Sequence, residues 1–160
     1  MSQEIERKFL VTIMPDLSTS KRVPYERFFI FRNGVTELRA QQKGDTYEIE
    51  RKTMINNLTA EKIRMEISQP EFEALRPLAS EIIIRDGYKL SSDPVISLKV
   101  YHGRYEGLVR VEVEFFTEAE AYAFQIPDWF GKEITDSVVS RDAKLVNLSD
   151  EEFKKFLAEN

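Results

Sequence analysis

Three charged side chains stand at spacing two near the start of the chain: Glu4, Glu6 and Lys8, in E-I-E-R-K-F-L-V. Residues two apart in a strand share a face, so this segment sets two carboxylates beside an ammonium. The arrangement recurs. Glu112 and Glu114 share a face with Arg110, Glu48 and Glu50 with Lys52, and Glu37 with Arg39 and Gln41. Lys62, Arg64 and Glu66 form another such set, and Ser97, Lys99 and Tyr101 a further one. Neighbouring like charges cost energy unless a counter-ion or basic neighbour compensates. A divalent cation does so, and carboxylate pairs are the donors that Mg²⁺ or Mn²⁺ requires. The interleaved Lys and Arg would face an anion. That combination suits a polyphosphate, whose oxygens a metal bridges while guanidinium and ammonium groups pair with the remaining charge. Hydrolysis would be phosphoryl transfer to water. For any one strand, a wet sheet face carrying both signs of charge is the plainer reading. The density of charge across the set, nearly free of Ser, Thr or Asn, points instead to a polar tunnel.

The elements that must position these groups are strands. Period-two alternation predicts them over Gln3–Val11, Tyr25–Arg32, Val35–Gln42, Thr46–Thr53, Ala60–Ser68, Glu81–Leu90, Val95–Tyr101 and Leu108–Phe116. Asn33-Gly34 signals a hairpin, Lys43-Gly44-Asp45 a second tight turn, and His102-Gly103 begins another. Three helices are announced by caps. Ser68 with Glu71 opens one running to Leu78, Thr117 with Glu120 one to Phe124, and Ser149 with Glu152 the last. Phe153, Phe156 and Leu157 give the last helix an apolar stripe. Trp129 reads as core packing against a helix. Eight antiparallel strands with few helices suggest a barrel or a sandwich.

The chain of 160 residues suits a single domain, residues 1–160. With no cysteine, disulfides, thiolate metal sites and cysteine nucleophiles are excluded. The lone His102 excludes multi-histidine sites and reads as a surface residue, so any metal must be held by oxygen. A formal net charge of −5 argues against a general nucleic-acid binder. No secretory signal and no apolar run of membrane-spanning length is visible, and a cytoplasmic protein is expected.

E-I-E-R-K at residues 4–8 resembles the E-x-E-x-K signature of the CYTH superfamily, the triphosphate tunnel metalloenzymes. Later segments match in order. Leu38-Arg39 resembles the start of the superfamily's L-R-x-R strand, I-E-R-K at 49–52 its L-T-x-K, and R-M-E at 64–66 its R-x-E. G-L-V-R-V-E-V-E at 107–114 resembles the G-L-x-x-x-E-x-E strand, and G-K-E-I-T at 131–135 resembles G-x-E-V-T. The resemblance implies a mainly β (α+β) fold: an eight-stranded closed antiparallel β-barrel with a charged central tunnel and a few peripheral helices. It implies metal-dependent hydrolysis of a triphosphate, inorganic or a small organic one such as thiamine triphosphate, with Mg²⁺ or Mn²⁺ as cofactor. Glu4, Glu6, Glu112 and Glu114 would hold the metal. Lys8, Arg39, Lys52, Arg64, Arg85 and Lys99 would contact substrate, and Lys8 and Glu114 would be catalytic.

Four positions depart from the superfamily pattern. The second arginine of L-R-x-R is Gln41, an expected acid is Lys99, the second residue of a basic pair is Gly87 beside Arg85, and the second acid after R-x-E is Ser68. Gln41 and Gly87 weaken the grip on phosphate, and Lys99 partly restores it. The alternatives are a triphosphate-binding protein with little turnover and, ranked lower, an adenylate cyclase of the same superfamily. No nucleic-acid or membrane partner is expected. The final helix packs on its own barrel, caps a tunnel mouth or joins a homodimer of the kind common in the superfamily.

Overall fold

The computed structural model describes residues 2–160. Among the described residues there are nine strands: β1 (Ser2–Val11), β2 (Arg22–Asn33), β3 (Thr36–Lys43), β4 (Thr46–Met54), β5 (Thr59–Ile67), β6 (Ile83–Ser92), β7 (Val95–Tyr101), β8 (Val109–Phe115) and β9 (Phe130–Glu133). They hydrogen-bond in the order β5-β4-β3-β2-β6-β7-β8-β1, and β1 also pairs with β5, so eight antiparallel strands form a closed ring. The first strand does this by dividing its length. Its Ser2–Ile5 half pairs with β5, and its far half takes the short β9 at Phe9 and Val11.

Ring closure decides which face is inside. The faces carrying Glu4, Glu6 and Lys8 on β1, Glu37 and Arg39 on β3, Glu48, Glu50 and Lys52 on β4, and Arg110, Glu112 and Glu114 on β8 point into the ring, and Glu6, Lys8, Glu37, Arg39, Glu50, Lys52, Arg85 and Arg110 are all buried. The dry core lies outside the ring, beneath the peripheral segments. Phe9, Leu98, Val111 and Val113 pack against Phe130, with Trp129 and Phe124 over them. Trp129 stacks edge-on to Phe130 at 4.5 Å, as core packing requires. Phe28 and Ala40 are covered by Phe72 of α1 (Gln69–Leu75). Much of the outer face is therefore covered by apolar packing, although Ile63 and Met65 of β5 stay exposed, and the inner face is lined by ion pairs around a cavity.

The predicted helix starts are realised. Ser68–Glu71, Thr117–Glu120 and Ser149–Glu152 each form a reciprocal capping box, opening α1, α2 (Glu118–Ala123) and the last helix, α4 (Asp150–Glu159). The stripe of α4 packs on its own barrel: Phe153, Phe156 and Leu157 lie against Tyr105, Leu108 and Leu145. The second hairpin turn falls where Lys43-Gly44-Asp45 signals it, whereas the first sits one residue later than Asn33-Gly34. The two central residues are Gly34-Val35 and Gly44-Asp45, with φ of +56° and +58° at the glycines. Only the glycine takes a positive φ, so it must occupy the first central position. Val35 accordingly lies in the turn, not in β3 as the alternation predicts.

Two elements were not predicted. The four-residue β9 exists only through pairing with β1. The α3 helix (Asp142–Leu145) is a single turn whose Asp142, Ala143 and Leu145 are buried. His102 is half-exposed, and its Nε2 lies 2.8 Å from Asp86, which also binds Arg22. No helix among the described residues is long and apolar enough to cross a membrane.

Candidate active site

The ring encloses a cavity of about 1180 Å³ into which all of the sequence-predicted site residues project: Glu4, Glu6, Lys8, Arg39, Lys52, Arg64, Arg85, Lys99, Glu112 and Glu114. One end is blocked. The segment leading into α3 places the Ser140 carbonyl against Lys8 Nζ (2.8 Å) and Arg110 (3.1 Å), and Arg141 against Glu37 (2.8 Å). The Asp142 carboxylate sits among Arg27 (2.8 Å), Arg85 (3.2 Å), Arg110 (3.4 Å) and the Tyr101 hydroxyl. These partners come from six strands, so the segment spans the ring. Arg64, 58% exposed and 3.6 Å from Glu48, marks the opposite mouth.

Glu4, Glu6 and Glu114 converge from β1 and β8, with one oxygen from each lying within 4.8 Å of the others. The pairing register sets Glu6 directly across from Glu114. Three carboxylates with oxygen donors alone fit a hard divalent cation. Glu112, also expected to hold metal, is not in this group. It lies deeper, opposite Lys8, with its oxygen 3.5 Å from Arg110. Burial opposes its ionisation, but Arg110 and Lys8 outweigh burial and hold the carboxyl at about 2.

The three carboxylates differ in their compensation. Glu4 is held by Lys52 (2.6 Å) and Lys62 (2.7 Å), and Glu6 by Lys8 (3.0 Å) and Lys52 (3.1 Å). Burial disfavours the charged form of Glu6, yet Lys52 and Lys8 keep its carboxyl well below the usual range. Among the described residues Glu114 has no cation within ion-pair distance. Burial first, then the like charges of Glu6, Glu4 and Glu112, raise its pKa. An uncompensated carboxylate facing two others, solvent-accessible on its cavity side, is the arrangement that a bound cation would relieve.

The basic groups are held rigidly by acids. Arg39 bonds Glu37 (2.7 Å) and reaches Glu50 (3.5 Å), and its buried Nε has no partner among the described residues. The Nε atoms of Arg85 and Arg110 are likewise buried without a partner. Lys8 is pushed down by burial, which Glu6 only partly offsets. In Lys52 the carboxylates of Glu6 and Glu4 outweigh burial and raise the pKa.

A protein of Nitrosomonas europaea described as an inorganic triphosphatase is 34% identical to this chain over 137 residues, spanning 83% of this chain and 89% of that protein. The chain belongs to the CYTH superfamily of triphosphate tunnel metalloenzymes. An inorganic triphosphatase of Acetivibrio thermocellus is 28% identical over 169 residues, covering 97% of this chain and 100% of that one. The crystal structure of an inorganic triphosphatase matches with a TM-score of 0.67 at 31% identity, over 91% of this chain and 98% of the other. No family model matches the chain.

Geometry accounts for three departures from the superfamily pattern. Gln41 accepts from Arg27 Nε (2.8 Å) and donates to Glu48 (2.8 Å), so a guanidinium from β2 stands beside the position where an arginine is missing. Gly87 lies directly across from Lys99. A Cβ there would fall 2.7 Å from the Tyr25 ring and 3.3 Å from Lys99 Nζ. The space left by the missing side chain is thus filled by Tyr25 and by the ammonium of Lys99, which lies 4.6 Å from the centre of the Tyr25 ring. Positive charge lost from β6 returns on β7.

Sequence reasoning assigned no role to Arg27, Arg141 or Asp142. On its own face of the strand Arg27 is a single charge flanked by Tyr25 and Phe29, and spacing alone does not distinguish it from surface decoration. Arg141 and Asp142 lie in a segment without strand periodicity, and their inward placement comes from packing alone.

Proposed function

We propose that this protein hydrolyses a triphosphate, inorganic tripolyphosphate first among the candidates, with Mg²⁺ or Mn²⁺ held by Glu4, Glu6 and Glu114. The observation that carries the reading is the convergence of those three carboxylates inside a closed ring also lined by Lys8, Arg39, Lys52, Arg85 and Lys99. The inorganic triphosphatases among its relatives support the substrate class.

A divalent ion bound there would neutralise phosphate oxygens within its reach. The remaining work falls to the chain. Arg39 and Arg85, anchored by Glu37 and Asp142, present guanidinium edges to the phosphates without needing to reorganise. Lys52 and Lys99 pair with further phosphate oxygens, and Arg64 guides the anion at the open mouth. Lys8, fixed by Ser140 and Glu6, directs its ammonium to the phosphoryl group whose charge grows as water attacks phosphorus and the bond to the leaving diphosphate breaks. Tripolyphosphate and water give diphosphate and orthophosphate.

Phosphate release measured with Mg²⁺ and Mn²⁺ across tripolyphosphate, thiamine triphosphate and ATP tests the reading. Release is expected from tripolyphosphate; none from any of the three, in folded protein, refutes it. Calorimetric binding of tripolyphosphate without turnover would favour the receptor alternative.

Lys99 supplies a pH signature. Burial lowers it to about 8; Glu112 offsets part of this, and Arg85, Arg27 and Arg110 add to the lowering. It carries charge below that value and loses it above. The affinity for tripolyphosphate should therefore weaken as pH rises through about 8. Lys99→Met should bind more weakly below pH 8 and lack that decline, and a decline unchanged in Lys99→Met would remove Lys99 from the site.

A further inference from the structure

Lys62 enters the carboxylate group from β5. Its Nζ lies 2.7 Å from Glu4 Oε2 and 3.0 Å from Glu50 Oε2, while Lys52 takes Glu4 Oε1 at 2.6 Å. Both oxygens of Glu4 are therefore occupied by ammonium groups. Lys52 and Lys62 are cross-strand partners on β4 and β5, which puts two positive charges side by side. Like charges in that position repel, and the Glu4 carboxylate between them is what makes the pair tolerable. Lys52 is nearly sealed from solvent, whereas Lys62 retains 21% exposure on a flexible stem facing the cavity.

We infer that Lys62 is a built-in counter-ion that competes with the divalent cation for Glu4 and so ties metal binding to the presence of the polyanion. This rests on the reading of Glu4, Glu6 and Glu114 as the metal-holding group. A cation entering among them meets Lys62 at Glu4 and is repelled by it. A phosphate in the tunnel offers the ammonium another anionic partner, so Glu4 is released to the metal. Metal and triphosphate then strengthen each other's binding, and by linkage the effect is reciprocal. Glu4 and Glu50 stay neutralised when the tunnel is empty, which favours the folded ring without metal.

The test is calorimetric titration of Mn²⁺ into metal-free protein, alone and with a non-hydrolysable imido analogue of tripolyphosphate. The parent should bind Mn²⁺ weakly alone and more tightly with the analogue. Lys62→Met, which keeps the aliphatic stem, should bind Mn²⁺ alone on the order of tenfold more tightly than the parent, a typical coupling between sites, and gain little from the analogue. Lys62→Arg retains the charge and should restore the parent's coupling. Circular dichroism of each variant checks the fold. Equal or weaker Mn²⁺ affinity in folded Lys62→Met, with the parent still binding Mn²⁺, overturns the role of Lys62 and leaves the metal site standing. A parent that binds no Mn²⁺ even with the analogue overturns both.

Discussion

Glu114→Gln abolishes triphosphate hydrolysis while leaving the metal-free protein at least as stable as the parent. The two halves of this expectation share one cause. Glu114 sits opposite Glu6 and near Glu4 and Glu112, with no cation in ion-pair distance among the described residues. Burial and these like charges raise its pKa. A carboxyl whose folded pKa is raised contributes stability below its unfolded value, and loses that contribution as pH rises through the folded value. At neutral pH the charge is thus a liability in the empty ring, and the neutral amide removes it. The same substitution removes an anionic donor from the only three-carboxylate group found among the described residues. Loss of groups that merely support a metal ligand costs roughly 10–100-fold, so loss of a ligand should cost at least that much in kcat/KM. Phosphate release and thermal melting of the metal-free variant check the two halves. Parent-like activity would remove Glu114 from the metal group, and a large fall in Tm would show that its charge is structurally compensated.

Asp142→Ala acts in the opposite sense. This carboxylate is the shared partner of Arg27, Arg85 and Arg110 and accepts from Tyr101. Burial opposes its ionisation, but the Arg85, Arg110 and Arg27 guanidiniums hold it well below the usual carboxylate range. Removing it leaves three buried cations facing one another. Breaking a buried ion pair by deleting one partner costs about 3–5 kcal/mol. At about 2–4 °C per kcal/mol for a domain of this size, Tm should fall on the order of 10 °C. Because the folded pKa is depressed, the stabilisation is present above the unfolded value of about 3.9 and is lost as pH falls below it. The parent should therefore lose stability below about pH 4 more steeply than Asp142→Asn, which has no proton to take up there. Denaturant melts of the parent and both variants between pH 2 and 7 test this. An Asp142→Ala variant melting within a degree of the parent would show that the three guanidiniums do not depend on this carboxylate.

These two carboxylates were unequally legible in the sequence, for a physical reason. Glu114 belongs to a strand, and strand geometry is local: alternation alone put Glu4, Glu6, Glu112 and Glu114 on common faces, and seven of the eight predicted strands have both their first and last residues within two of those observed. The capping boxes at Ser68, Thr117 and Ser149 were legible for the same reason, since a cap is completed within four residues. The superfamily was legible because its motifs follow these strands in order.

What alternation cannot say is which face is inside. A single charged face is compatible with water or with a tunnel; the density of charge across the set pointed to a tunnel, and the pairing of β1 with β5, over fifty residues apart, closes it. The pairing across the ring also separated the carboxylates by depth, leaving Glu4, Glu6 and Glu114 together and setting Glu112 across from Lys8. Tertiary packing also made contacts that no local pattern marks. Arg27 reaches across to Gln41, Lys99 fills the space over Gly87, Lys62 bridges Glu4 and Glu50, and Asp142 closes the far end. The sequence by itself determined the kinds of charge available and the strands that carry them. The closed ring decided which charges meet, because meeting depends on distance through space, and each of these contacts joins residues from different elements.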